Sequence, residues 1–283
     1  MDDFVHKKSL GQNFLTNPKV SEWMADTAEL VAGETVLEIG PGTGMLTREL
    51  LKRGAHVVAI EADARAIAIL EESFKDEIAG GNLVLHHADI REFDLSTLGL
   101  TPHEYKLIAN IPYYLSGMLF RMFLESACQP KSLVFLTQKE VAERIAPKQL
   151  SLRATGRTAG GGFRRQKESL LSLSVKAYGT PTYIRTISRG NFKPSPKVDS
   201  AIIRITDISK NTFKDIDEEF FFEILHLGFA AKRKQLLGNL SKRFDRDHLI
   251  DTFSTLDIPE NVRGEDLSIN VWLKLVIALK VHT

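Results

Sequence analysis

The sequence predicts an α/β fold with a mostly parallel sheet, followed by a small C-terminal helical domain. Two observations predict it. Short apolar runs alternate with helix-length amphipathic segments through the first half of the chain, the pattern of right-handed β–α–β crossovers. Past about Asn211, every segment reads helical. With 283 residues, 43% of them hydrophobic, the chain also has the apolar mass for a sizeable core.

The elements follow in order. Thr35–Ile39 (TVLEI) reads as a buried first strand and residues 56–60 (HVVAI) as a second. Residues 83–86, 106–109 and 133–136 give the third, fourth and fifth. Between the first two strands, residues 45–53 carry a helical pattern. Residues 63–78 carry another, with Ile67, Leu70 and Phe74 on one face. A helix is also expected over 138–145, and 168–178 is a further apolar segment. Residues 183–187 and 201–205 then read as two strands joined by a Pro-bearing loop, a hairpin closing the sheet. The helical part comprises an amphipathic 217–229, a basic 232–244 and a one-sided apolar 270–280. The expected division is an α/β domain over 1–207 and a helical domain over 208–283. Residues 147–166, rich in Gly and Arg and without a period, form an insertion.

The net charge is only +1, but charge is segregated. From Arg144 to Lys167 there are seven basic residues and no acid; from Gly228 to Arg246 there are six against Asp245 alone. Such runs either present a basic face to a polyanion or are solvated surface. The single Cys128 excludes an internal disulfide and a multi-cysteine zinc cluster, and no metal site is expected. No run approaches the length of a membrane span, and residues 1–15 contain no apolar h-region. A cytoplasmic protein is expected.

The chemistry begins at Glu38-Ile39-Gly40-Pro41-Gly42-Thr43-Gly44, which follows the first strand and opens a helix. Glycines there let backbone approach a ligand closely. The spacing fits neither the dinucleotide fingerprint, which would need Gly at Met45 or Thr47, nor a P-loop, since no Lys follows. Glu38-x-Gly40-x-Gly42-x-Gly44 is similar instead to the loop of class I methyltransferases that use S-adenosylmethionine, which implies a Rossmann-like sheet. Glu61, ending the second strand, then offers a carboxylate to a ribose cis-diol. Asp89, ending the third, offers one to an adenine amino group. Each acid alone is also an ordinary solvated strand-end carboxylate.

Asn110-Ile111-Pro112-Tyr113 follows the fourth strand and resembles the tetrapeptide of methyltransferases that act on exocyclic amines. An adenine N6 lone pair is delocalised into its ring, so the amine is a poor nucleophile. The Asn110 oxygen and a neighbouring backbone carbonyl can accept both amino hydrogens and favour a pyramidal nitrogen. Pro112 fixes the backbone, and Tyr113 supplies a face for stacking a base, worth about 1–3 kcal/mol. Read alone, the tetrapeptide is also a Pro turn with a core Tyr.

With these motifs in order, the chain resembles the ribosomal RNA adenine dimethyltransferases, and within them the bacterial small-subunit branch. Residues 7–15 (KKSLGQNFL) are similar to the family's N-terminal signature, which implies that Asn13 and Leu15 touch the cofactor. Residues 138–142 (QKEVA) match the segment after the fifth strand. Residues 192–200 (FKPSPKVDS) resemble a late family motif whose Phe lies near the target base, so Phe192 stacks opposite Tyr113 or else caps the core as a loop aromatic. Gly228-Phe229 with Lys232-Arg233-Lys234 is similar to the basic helix that meets rRNA phosphates in the family. The insertion departs from the family pattern and reads as an extra RNA-contacting loop, a spacer, or a segment altered by a compensated frameshift.

The resemblance implies dimethylation of N6 on two adjacent adenines near the 3′ end of 16S rRNA, in the immature small subunit, by a monomer using S-adenosylmethionine. A 23S rRNA adenine methyltransferase of the macrolide-resistance type is the nearest alternative. A ribosome-assembly checkpoint with impaired catalysis is the third.

Overall fold

The computed structural model describes residues 13–146, 167–231 and 233–280. The insertion over 147–166, residues 7–12 of the N-terminal signature, and Lys232 lie outside the described residues. The chain divides into two compact units; among the described residues, 13–146 and 179–208 form the first, and the remainder the second.

The first unit contains β1 (Phe14–Leu15), β2 (Thr35–Ile39), β3 (His56–Glu61), β4 (Leu83–His87), β5 (Tyr105–Asn110), β6 (Ser132–Gln138), β7 (Thr180–Ile187), β8 (Phe192–Lys193) and β9 (Ser200–Thr206). Seven strands form one sheet in the order β4-β3-β2-β5-β6-β9-β7; β1 and β8 pair separately. The neighbours from β4 to β6 pair in parallel; β9 pairs antiparallel with β6, and β7 antiparallel with β9, so that β7 runs in the direction of β6. The five expected parallel strands and the closing hairpin are therefore present. The β1–β8 pair was not foreseen, because two residues carry no periodicity.

Helices α1 (Pro18–Thr27), α2 (Met45–Lys52), α3 (Ala64–Ser73), α4 (Lys75–Ala79), α5 (Ser116–Leu124) and α6 (Lys139–Ile145) complete this unit. The single helix expected over 63–78 is two. Phe74, at φ −128° and ψ 33°, breaks it, and its fully buried ring packs beneath Gly44. The core brings Val20 and Met24 of α1, Leu46 and Leu50 of α2, and Val36 and Val57 of the sheet into one cluster with Leu15 and Phe192.

At the amino end of the strands, the buried Lys106 ammonium donates to Glu34 Oε2 at 2.6 Å and to the Glu29 carbonyl at 2.8 Å. Lys131 donates to the other Glu34 oxygen at 3.1 Å. Burial pushes the Glu34 carboxyl up, but Lys106, the Val31 N–H and Lys131 outweigh it and hold it at about 2. Glu34→Ala, which strands the buried cation, is expected to cost about 3 kcal/mol in urea unfolding. The stability from this lowered carboxyl is present above its unfolded value of 4.5 and is lost as pH falls toward about 2. A variant as stable as the parent at pH 7 would refute this.

The second unit holds α7 (Leu170–Tyr178), α8 (Glu218–Phe229), α9 (Leu236–Leu240), α10 (Arg246–Thr255) and α11 (Ile269–Lys280). α7 joins the later helices through Tyr178, whose hydroxyl donates to Glu218 at 2.6 Å and whose ring stacks on Phe222. The compact helical unit thus takes in 167–178, on the amino-terminal side of the expected cut at 207. The basic helix expected over 232–244 is reduced to the five residues of α9. Gln235 is extended at ψ 150°, and Leu236, Leu237, Asn239 and Leu240 are buried. Asn239 Nδ2 donates to the Gly228 carbonyl at 2.7 Å, so apolar burial fixes this short turn and the basic residues flank it. None of the described helices is long and apolar enough to cross a membrane.

Candidate active site

Chain order reverses across the β2–β5 pair, where Ile39 lies opposite Ala109. In open α/β sheets, ligands bind outside the carboxyl ends of the strands at this reversal. A cleft opens there. Its wall is built from the glycine loop, the end of β3, the turn after β4 and the tetrapeptide after β5. The register explains the convergence: Ile39 pairs with Ile60, Glu61 with His87, and Asn110 with Leu136, so successive strand ends step across one rim.

Gly40, Gly42 and Gly44 have φ of +68°, +59° and +81°. A Cβ on Gly40 would meet nothing within 4 Å, so this backbone borders open cleft. A Cβ on Gly42 would lie 2.9 Å from the Phe14 ring. Gly44 is off the wall; it starts α2, and a Cβ there would lie 2.4 Å from the Phe74 ring.

Glu61 ties the loop to β3. One carboxylate oxygen accepts from the Gly42 N–H at 3.0 Å and the other from the Asp63 N–H at 2.9 Å. Burial raises its carboxyl above the ordinary range, against the pull of those N–H groups. Glu61 itself lines the cleft. Asp89 is also on the wall and is paired with Arg91, whose Nε donates at 2.9 Å; that bond holds the carboxyl low.

Glu38 lies not on this wall but in a small adjoining pocket, with Phe14, Leu15 and Asn110. It is fully buried and accepts from Thr47 Oγ1 at 2.8 Å. Burial pushes its carboxyl up to about 8, with the Thr47 bond opposing and the Glu61 charge adding. The native acid keeps its proton to about 8, whereas an unfolded one ionises near 4.5. Thermal stability of the ligand-free protein is therefore expected to fall as pH rises between those values, and Glu38→Gln to flatten that fall. An unchanged profile in the variant would count against a protonated Glu38.

Asn110 Nδ2 donates to the Asn13 carbonyl at 3.3 Å. Because a carbonyl only accepts, this bond fixes which end of the amide is which and leaves Oδ1 an acceptor without a partner among the described residues. In the tetrapeptide, the Pro112 carbonyl accepts from the Leu115 N–H and the Tyr113 carbonyl from Ser116 Oγ. The Ile111 carbonyl accepts nothing among the described residues. Two acceptors, Asn110 Oδ1 and the Ile111 carbonyl, thus sit one residue apart on the cleft wall.

Tyr113 lines the cleft with its hydroxyl 2.7 Å from Ser200 Oγ. Its neighbour Tyr114, also on the wall, is 54% exposed. Phe192 is not on the wall. Paired with Leu15 across β1–β8, it turns into the core and is 5% exposed, so stacking opposite Tyr113 would require it to leave that packing. Leu15 is likewise a core residue that reaches only the smaller pocket, while Asn13 and Phe14 face the main cleft. Sequence reasoning missed Phe14, Ile90 and Tyr114; Phe14 stands inside the N-terminal signature and was the available signal.

The matches to known proteins run the length of the chain. A model of the ribosomal RNA adenine dimethylase family matches residues 4–280. The chain belongs to that family. It is accordingly an rRNA methyltransferase. Similar curated relatives include ribosomal RNA small subunit methyltransferase A of Dehalococcoides mccartyi, 35% identical over 96% of this chain and 87% of that one. The protein of the same name from Clostridium botulinum is 35% identical over 96% and 94%. Among solved structures, a dimethyladenosine transferase from Plasmodium falciparum superposes with TM-score 0.73 at 26% identity, covering 95% of this chain and 98% of that one. The 23S rRNA methyltransferase ErmE, at TM-score 0.69 and 24% identity over 95% and 100%, shares the fold. The family assignment agrees with the Rossmann-like class I sheet and helical C-terminal part expected from the sequence.

Proposed function

We propose that this dimethylase transfers methyl groups from S-adenosylmethionine to N6 of two adjacent adenines near the 3′ end of 16S rRNA, four transfers in all. Its substrate is the immature small ribosomal subunit, and it works as a cytoplasmic monomer. The observation that carries the reading is the pair of acceptors at the sheet's switch point, Asn110 Oδ1 and the Ile111 carbonyl, neither of which has a partner among the described residues. The curated relatives' names favour the small subunit over the 23S alternative.

The residues present fit the donor. Gly40 borders an open cradle, and Glu61 and Asp89 line the same wall, where their carboxylates would hold a ribose cis-diol and an adenine amino group. Glu38 with Gly42 and Gly44 shapes the loop, and Asn13 and Leu15 close its amino-terminal side. When bound, the donor supplies a methyl already activated on a sulfonium, so no base of tuned pKa is required.

The chain's own residues supply alignment, worth up to about 7–11 kcal/mol, and polar stabilisation. Asn110 Oδ1 and the Ile111 carbonyl accept the two amino hydrogens and turn the nitrogen lone pair outward. Pro112 holds that backbone extended and Tyr113 stacks the base. After the first transfer only one N–H remains, so one acceptor holds it while the other faces the new methyl. Each transfer forms one N–C bond, leaves the S–C pair on sulfur and releases one proton to water. Arg233, Lys234 and Lys242 beside α9 contact rRNA phosphates, as their exposed positions suit. The free Cys128 thiol suits a reducing cytoplasm.

Purified protein with labelled donor tests this against immature small subunits, naked 16S rRNA and large subunits. Label entering adenine N6 of the small subunit is expected. Label confined to large-subunit RNA would overturn the reading.

A further inference from the structure

We infer that Ser200 is a positioning residue for methyl transfer, acting through Tyr113 as one end of a buried hydroxyl clamp. The inference rests on the proposed stacking of the target base on Tyr113.

The clamp is built where two antiparallel strands meet. The carboxyl end of β6 runs beside the start of β9, with Thr137 opposite Ala201 and Gln138 opposite Ser200. Thr137 and Ser200 are fully buried and Ser116 is 2% exposed. A hydroxyl taken out of water needs a partner, and apolar side chains would fill these positions without that demand. Here the partners belong to the tetrapeptide or to one another. Ser116 Oγ donates its single hydrogen to the Tyr113 carbonyl at 3.0 Å, so at 2.8 Å it accepts from the Thr137 hydroxyl. Ser200 Oγ lies 2.7 Å from the Tyr113 hydroxyl.

Tyr113 is therefore fixed at both ends, its backbone by Ser116 and Thr137 and its phenol by Ser200. Its hydroxyl is engaged, so the ring offers a face and no polar edge. Burial raises the phenol's pKa and keeps the hydroxyl protonated, so the ring stays neutral. A ring anchored in this way is already oriented when a base arrives, and orientation lost by about 1 Å costs on the order of 100-fold in rate.

The test uses the full chain with Ser200→Ala, Tyr113→Phe, the double variant, and Ser200→Thr, which keeps a hydroxyl. Tyr113→Phe retains the ring and its packing, so it serves if Ser200→Ala fails to fold. Each single loss is expected to lower kcat/KM for rRNA about 10- to 100-fold, with donor affinity by calorimetry unchanged. The double variant should be no worse than the poorer single, and Ser200→Thr should recover most of the activity. A 2-aminopurine placed at the target position should be less quenched by Ser200→Ala than by the parent. Activity within twofold of the parent, multiplying losses in the double variant, or unaltered quenching would overturn the clamp. A parent that methylates no rRNA adenine would instead refute the substrate reading beneath it.

Discussion

Asn110→Ala is expected to lower methyl transfer to rRNA by about 100- to 1,000-fold, the usual cost of removing one aligned polar group from a reacting centre. The loss should fall on kcat and kcat/KM alike, because the amide acts on the nitrogen most strongly as its geometry changes toward the transition state. Donor affinity should hold within a few-fold, since the glycine loop, Glu61 and Asp89 are untouched. Binding to immature subunits should also survive, because the basic segments lie elsewhere in the chain. Single-turnover kinetics and subunit co-sedimentation check both parts. Joint loss of catalysis and subunit binding would count against separable roles and against a checkpoint function resting on binding alone.

Gly40→Val is the second large effect. Gly40 has φ +68° and no atom within 4 Å of where a Cβ would lie, so its cleft side is open space next to backbone. A branched side chain there fills the cradle and resists the left-handed backbone, which costs about 1–2 kcal/mol. Donor affinity by calorimetry is expected to fall at least about 100-fold, as steric exclusion from a close-approach glycine implies, while thermal unfolding stays cooperative. Donor binding retained in a folded variant would mean that the ligand lies elsewhere.

Much of this architecture is legible in the sequence because a parallel sheet writes itself plainly. Its strands are buried on both faces, so TVLEI, HVVAI and the run before Asn110 appear as apolar blocks between turns. The residue after each block then falls on one rim by topology alone. That is how Gly40, Glu61, Asp89 and Asn110 come to share a cleft wall. Other features depend on packing that no spacing reveals. Phe74 breaks a helical pattern because its ring is drawn under Gly44. Phe192 and Leu15 turn inward through a strand pair too short to leave a period. The basic run after Lys232 reads as one helix, yet Asn239 and its buried leucines hold only one turn. The bond from Asn110 to the Asn13 carbonyl spans 97 residues and is visible only in three dimensions.

Mass spectrometry of small-subunit rRNA from cells with and without this chain tests the central claim most directly. The account predicts two adjacent N6,N6-dimethyladenosines near the 3′ end when the parent is present, and unmodified adenines when it is absent or carries Asn110→Ala. An identical dimethyladenosine content in both cells, or dimethylation appearing in the large-subunit RNA instead, would contradict it.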